Sequence, residues 1–539
     1  MITPPARSAD YDAIVVGAGH NGLVAANLLA DAGWSVLVLE GAAAPGGAVR
    51  TAEVAAPGYH SDLCSAFYPL GVASPVLAGL DLQRYGLRWR HAPAVLAHLL
   101  PDDRCVLLSR DVERTAASLE AFGAGDGDAW RREVATWALL REQLLDALLR
   151  PFPPVRPAVG LLRRLGTAEA LRFARFGLLS ARRYGEERFA GAGGRLLVTG
   201  STLHTDLTPE SAGGALFGWL LMMLGQDVGF PVPEGGAGRI IDALVARLAA
   251  RGGELVCGAP VVEVAVSGGR AVGVRTAAGD RVRAARAVLA DVAAPRLYLD
   301  LVGAQQLPAR LVGDLRRFHW DHATVKVDWA LSAPVPWSAE QVRGAGTVHL
   351  DHDLDGLTDY AAALAAGRAP ASPFLLLGQM TTADPSRSPA GTECLWAYTH
   401  LPAGPAGAGE SVPAVADRME RVIERHAPGF RDLVVGRHLH GPAELERDNP
   451  NAVGGAINAG TAALHQELVM RPTPGLGRSD TPVDRLFLAG ASAHPGGGVH
   501  GACGANAARA ALARDRAVTG RGYAVGVRLA HRAVYGRAD

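Results

Sequence analysis

Cysteine is scarce in this chain: five thiols, Cys64, Cys105, Cys257, Cys394 and Cys503, are scattered over 539 residues, and no two form a C-x-x-C pair. That excludes a cysteine zinc site and a redox disulfide, and no other metal-ligating constellation stands out. The first residues lack a basic region followed by an apolar run, so no export signal is visible and a reducing cytoplasm is the simplest expected location. Net charge is missing too, since 53 basic and 53 acidic side chains cancel. No field of one sign is available to steer nucleic acid or an anionic substrate. Nor is there a long hydrophobic run. Ser211 to Gln226 is the most apolar uncharged stretch, but its 16 residues are interrupted by glycines and fall short of the ~20 that a membrane-spanning helix needs. It reads as a buried helix.

What the sequence does contain is length for two to four domains and a strong signal at its start. Ala13 to Val16 is a short apolar run, as expected of a parallel strand covered on both faces. Gly17, Gly19 and Gly22 follow as G-x-G-x-x-G. The first permits a tight turn, the second lets backbone N–H groups approach a pyrophosphate, and the third lets helix and strand pack closely. A helix over Leu23–Ala32 ends at Gly33, a second strand runs from Ser35 to Leu39, and Glu40 is placed to accept hydrogen bonds from an adenosine ribose. Strand, glycine turn, capped helix, strand and acid in that order specify a dinucleotide site. Ribose recognition alone does not separate NAD from FAD.

Two further segments do. Pro45-Gly46-Gly47-Ala48-Val49-Arg50-Thr51 resembles the G-G-R-x-x-[ST] motif of glutathione-reductase-like flavoproteins, with Ala48 at the motif's arginine and Arg50 as a candidate substitute. Near the other end, Arg485 to Gly490 followed by Ala491-Ser-Ala-His494-Pro495-Gly496-Gly497-Gly498-Val499-His500-Gly501 resembles the C-terminal motif of bacterial phytoene desaturases and their pyridine-nucleotide-disulfide oxidoreductase-like relatives. The resemblance implies that Gly490, Ala491, Pro495, Gly496, Gly497, Gly498 and Val499 bind the flavin. A helix from Arg239 to about Arg251 and strands around Val261–Val266, Ala271–Thr276 and Arg286–Ala290 resemble the family's second FAD-domain segment, in which the backbone at Val262 would reach the adenine. Asn449 to Ile457 is similar to the family's N-x-x-G-G-D-I segment, with Ala456 in place of the acid.

The fold these readings imply is α/β: a Rossmann-type FAD-binding domain of the glutathione-reductase and GDI kind, with an inserted α+β substrate domain containing a sheet and a helical region. Residues 10–60, 232–300 and 480–525 would form the FAD-binding domain. Residues 61–231 and 301–479 would form the substrate domain, helical at about 125–230, and 526–539 a C-terminal tail.

On the substrate side, eight arginines between Arg150 and Arg183 face one acid, Glu169, and alternate with leucine and phenylalanine. Such a segment is suited to peripheral contact with an anionic membrane, or is simply a solvated face. The helix around Trp219 is a candidate cavity wall. His204, in Ser201-Thr-Leu-His204, is a candidate acid or base, and His494 and His500 flank the flavin loop. Asp62 and Cys64 fall where relatives have Asp-x-Gly, which raises a covalent flavin link at Cys64 as an option.

The expected activity is FAD-dependent dehydrogenation of a hydrophobic small molecule, of polyene or isoprenoid type, by hydride transfer to flavin N5. With no second strand, glycine turn and helix unit for a nicotinamide, oxygen or a quinone would reoxidise the flavin. The rival readings are a flavin-dependent oxidase or redox-neutral isomerase of a specialised metabolite, and a GDP-dissociation-inhibitor-like binding protein without flavin.

Overall fold

The computed structural model describes residues 10–404 and 410–536. Its first sheet has seven strands in the order Val261–Ser267, Arg270–Thr276, Arg281–Ala290, Asp10–Val16, Val36–Leu39, Glu254–Val256, with Leu486–Leu488 added beside the end of Arg281–Ala290. Arg281–Ala290, Asp10–Val16, Val36–Leu39 and Glu254–Val256 run parallel, while the two strands from Val261 to Thr276 form an antiparallel ribbon. Parallel strands must be covered on both faces, which explains why Val36, Leu37, Val38 and Leu39 are all buried. Helices His20–Asp31, Gly238–Ala250 and Ala502–Asp515 share one apolar core with Val15, Val38 and Leu289. The helix expected over Leu23–Ala32 begins three residues earlier, inside the glycine turn, and Gly33 takes the positive φ that ends it.

The second sheet also has seven strands, ordered Val434–His440, Ala323–Leu331, Glu393–Leu401, Leu375–Gln379, Ala345–Leu350, Ala94–Leu99, Cys105–Leu108. Only the pairing of Ala345–Leu350 with Ala94–Leu99 is parallel. Helix Val412–His426 shares an apolar core with one face through Val415, Met419 and Ile423. The helices Asp126–Leu149, Val155–Phe176, Ala181–Arg188, Ala192–Thr202 and Gly214–Asp227 make up the helical region. Gly214–Asp227 is the apolar segment of the sequence, and Trp219, Met222, Met223 and Leu224 in it are buried.

The C-terminal segment from 526 carries the end of helix Gly520–Tyr535, and the buried Tyr535 hydroxyl donates to the carbonyl oxygen of Pro474. The helix around Trp219 does line the cavity, through Leu221, while the Trp219 indole N–H donates to Glu133 inside the helical layer. No helix among the described residues is long and apolar enough to cross a membrane.

Candidate active site

The glycine turn is built against the end of strand Arg281–Ala290. A Cβ on Gly22 would stand 2.2 Å from the Gly17 carbonyl oxygen, and one on Gly19 would stand 2.6 Å from Asp291 Oδ2. Gly17 has φ +95°, a conformation that L side chains rarely adopt. The Gly22 N–H donates to Asp291 Oδ2 at 2.8 Å. Burial pushes the Asp291 carboxyl up to about 7, with a smaller contribution from Glu40. Glu40 accepts from the Ala18 N–H at 2.7 Å and the Ala42 N–H at 2.8 Å, so it braces the turn and still has lone pairs for hydroxyls. Gly46 joins by donating its N–H to the Ala18 carbonyl at 2.9 Å.

From this turn a cavity of about 310 Å³ opens between the two sheets. Gly19, His20, Asn21, Gly47, Ala48 and Asp291 line its first part, Ala491, Gly497, Gly498 and Val499 another wall, and Cys64, Phe67, His204, Leu221, Phe230, Thr347, Trp396 and Tyr398 the remainder. The segment from Asn449 to Ala459 supplies a further wall. Asn451 donates its Nδ2–H to the Asp291 carbonyl at 3.3 Å and accepts from the Ala293 N–H at 2.9 Å. Ala456 presents a methyl group where an acid was expected, but a carboxylate lies close by. Asp321, pushed up to about 6 by burial, accepts from the N–H groups of Ile457, Asn458 and Gly460.

The residues present fit a flavin dinucleotide. The three glycines let the turn pack directly against Asp291 and its own backbone, which puts Gly19 at the cavity wall, and the buried polar atoms His20 Nε2 and Asn21 Oδ1 have no protein partner there. Along the cavity Gly19, Gly47, Ala491, Gly497, Gly498 and Val499 are brought together. Gly17, Gly22, Glu40 and Gly46 belong to the turns that carry Gly19 and Gly47, and Gly490, Pro495 and Gly496 to the loop that carries Gly497 and Gly498, but these seven do not line the cavity themselves. Val262, in the edge strand Val261–Ser267, lies outside the cavity wall. Arg50 is turned to the loop it stands on, its Nε–H donating to the Gly47 carbonyl at 3.1 Å and an Nη2–H to the Asp448 carbonyl at 3.0 Å.

The two loop histidines are off the cavity, which corrects their reading as residues that touch the chemistry. The His494 Nε2–H donates to the Arg150 carbonyl at 3.0 Å, and burial lowers this imidazole to about 4. His500 Nδ1 accepts from the Ala502 N–H at 3.0 Å, its carbonyl accepts from Ser74 Oγ at 2.7 Å, and burial with the neighbouring His20 lowers it to about 3. Both are neutral braces of the glycine-rich loop. His204 does line the cavity, and burial lowers it to about 4. Cys64 lines it as well, its thiol raised by burial, whereas Asp62 is held by Arg387 at 2.9 Å, Thr51 and the Ala237 N–H.

Several site residues escaped the sequence reading. His20 and Asn21 were in view as the unspecified positions of the glycine motif. Arg471 is fully buried and donates to Glu467 and to the carbonyls of Thr461, Asn458 and Ala491, tying the loop that begins at Ala491 to the Asn449–Ala459 wall. Trp396 and Tyr398 stack at 6.0 Å with 16° between their planes. Lys326, the chain's one lysine, is buried 5.9 Å from the Trp396 ring centre and ion-paired with Asp328 at 2.5 Å. A residue type used once in 539 was a signal that counting alone would have found.

The comparisons agree with this geometry. A rat protein named pyridine nucleotide-disulfide oxidoreductase domain-containing protein 2 is 28% identical over 547 residues, covering 93% of each chain. The lycopene-forming phytoene desaturase of Pseudescherichia vulneris is 25% identical, covering 93% of this chain and 98% of its own. Among solved structures, an oxidoreductase from Methanosarcina mazei superimposes with a TM-score of 0.62 at 15% identity, over 94% of this chain and 100% of that one. The model of flavin-containing amine oxidoreductases matches residues 22–384, and this chain, with its glycine turns and two-sheet cavity, belongs to that family of FAD-dependent oxidoreductases.

Proposed function

We propose that the chain dehydrogenates an apolar small molecule, introducing a carbon–carbon double bond, with FAD held across the two glycine loops. The observation that carries this reading is the continuity of one cavity, from the phosphate-binding turn at Gly19 past Gly498 into a chamber walled by Phe67, Leu221, Phe230 and Trp396. When bound, FAD supplies the two-electron acceptor. The chain's own residues bind and orient. Glu40 and the turn N–H groups serve the ribose and phosphates, the Gly496–Gly498 loop shapes the flavin wall, and the aromatic side chains exclude water from an apolar substrate. His204 is one of the polar groups of the chamber, with Thr347 and Tyr398, that can meet that substrate. Oxygen or a quinone is the proposed final acceptor, because the sequence contains no second dinucleotide turn. Anaerobic mixing of the FAD-loaded protein with a panel of isoprenoids, polyenes and apolar amines tests the reading: bleaching by an alkene-forming substrate supports it, and bleaching by amines alone replaces it with an amine oxidase.

A second reading concerns delivery. Helix Val155–Phe176 buries only Pro157 and Phe176, and around it Val155, Leu171 and Leu178 are 62%, 68% and 64% exposed. Arg156 and Arg163 have no acidic partner among the described residues. Exposed apolar side chains beside unpaired guanidinium groups are suited to an anionic lipid surface, so we propose peripheral membrane contact through residues 150–183.

A further inference from the structure

His204 does not stand alone. Its Nε2 lies 2.8 Å from Nε2 of His349, which is fully buried on strand Ala345–Leu350, and one of the two nitrogens must carry the proton between them. Burial and the neighbouring imidazoles hold His349 well below the ordinary histidine range, so both rings are neutral. The direction of the shared hydrogen bond therefore fixes the tautomer of each ring.

Gly200 settles that direction. A Cβ on this residue would stand 2.6 Å from His349 Nδ1 and 3.0 Å from His98 Nδ1, so a Cα hydrogen of Gly200 points at both nitrogens. Neither nitrogen has any other partner. A lone pair accepts this weak C–H contact, whereas an N–H would be driven into it and left unsatisfied in the core. His98 provides an independent check. Its Nε2 stands 2.9 Å from the His352 carbonyl oxygen, which only accepts, so His98 carries its proton on Nε2 and a lone pair on Nδ1. The same assignment at His349 places its proton on Nε2, donated to His204 Nε2. His204 then holds its own proton on Nδ1, the nitrogen without a partner among the described residues, on a ring that lines the cavity.

We propose that His349 fixes His204 as a neutral Nδ1–H donor, and that this pair recognises a hydrogen-bond acceptor, a carbonyl or hydroxyl oxygen, on an otherwise apolar substrate. The inference rests on the dehydrogenase reading only for calling that ligand a substrate. It narrows the class to oxygenated apolar molecules and disfavours ammonium ligands, to which a fixed donor offers nothing. His204 is the binding residue and His349 a positioning residue.

The test has two readouts. Long-range ¹⁵N–¹H spectra of histidine-labelled protein, without added flavin, report the tautomer directly, with His204→Gln assigning the signals. The wild type should show His204 protonated at Nδ1, and His349→Phe should release it to the Nε2–H form. Calorimetric titration of the FAD-loaded protein with 4-phenyl-2-butanone, butylbenzene and 4-phenylbutylamine should rank the ketone first by about tenfold, and His349→Phe should erase that margin. A wild-type His204 protonated at Nε2 overturns the proposal even if the His349 variant fails to fold. Equal binding of ketone and hydrocarbon, or preference for the amine, overturns it as well. Failure of the chain to bind FAD would sink the proposed function and leave the tautomer result standing.

Discussion

The Gly22 N–H donates to Asp291 Oδ2 at 2.8 Å, so the first turn of helix His20–Asp31 is occupied by a carboxylate that stands just past strand Arg281–Ala290, 269 positions away in sequence. With its carboxyl near 7 rather than 3.8, Asp291 binds a proton more tightly when folded than when unfolded. The stability it contributes is fully present below about pH 4 and is lost as the pH rises through 7. Asp291→Asn should therefore melt a few degrees above wild type at pH 8 in the flavin-free protein, with the gap closing as the pH falls from about 7 to about 4. Parallel melting curves at pH 5 and pH 8 check this, and an unchanged gap would show that the carboxyl titrates normally.

Gly19→Val should abolish FAD retention while leaving the far-ultraviolet circular dichroism intact, because its nearest obstacle is the movable Asp291 side chain. Gly22→Ala meets backbone at 2.2 Å and should lower the melting temperature as well as flavin content. Absorbance of the purified variants near the flavin band decides both, and full occupancy in Gly19→Val would mean that the phosphates lie elsewhere.

His494→Ala and His500→Ala should weaken FAD binding on the order of tenfold, since each removes a buried brace of the glycine loop. In FAD-saturated protein the rate of anaerobic flavin reduction by a working substrate should stay within a few-fold of wild type. A collapse of that rate with unchanged FAD affinity would return these rings to the chemistry.

Much of this arrangement was visible in local sequence. Ala13 to Glu40 is one strand, turn, helix and strand whose parts lie within hydrogen-bonding reach of one another, so short-range rules suffice. The loop from Gly490 to Gly501 drew attention only through its resemblance to a family motif, and it does line the cavity through Ala491, Gly497, Gly498 and Val499. What its glycines do not encode is which way His494 and His500 turn, because that depends on the Arg150 carbonyl and the Ala502 N–H. Asp291, His349 and Arg471 were missed because each acquires its role only when distant strands and loops meet. Nothing in Val348-His349-Leu350 marks the histidine until Gly200 and His204 are folded against it.

For the basic segment, co-sedimentation with vesicles containing phosphatidylserine should fall with added salt, with Arg163→Glu paired with Arg164→Glu, and with Leu171→Glu. Binding indifferent to all three, or absent, would reduce the segment to a solvated surface.

Lys326 and Asp328 form a buried pair in which neither charge has another charged side-chain partner among the described residues. Lys326→Met should cost about 3–5 kcal/mol by stranding the carboxylate, and adding Asp328→Leu should recover most of it. Urea unfolding of the single and double variants measures the coupling. Additive losses would mean that the pair is not a unit.

That pair also governs how the protein meets reagents. With its one lysine sealed against Trp396, the folded surface presents guanidinium groups but no side-chain amine. Succinimidyl dyes, reductive methylation and amine-directed cross-linkers will therefore find no lysine on the native molecule, and modification of Lys326 becomes a direct chemical report that the second sheet has opened.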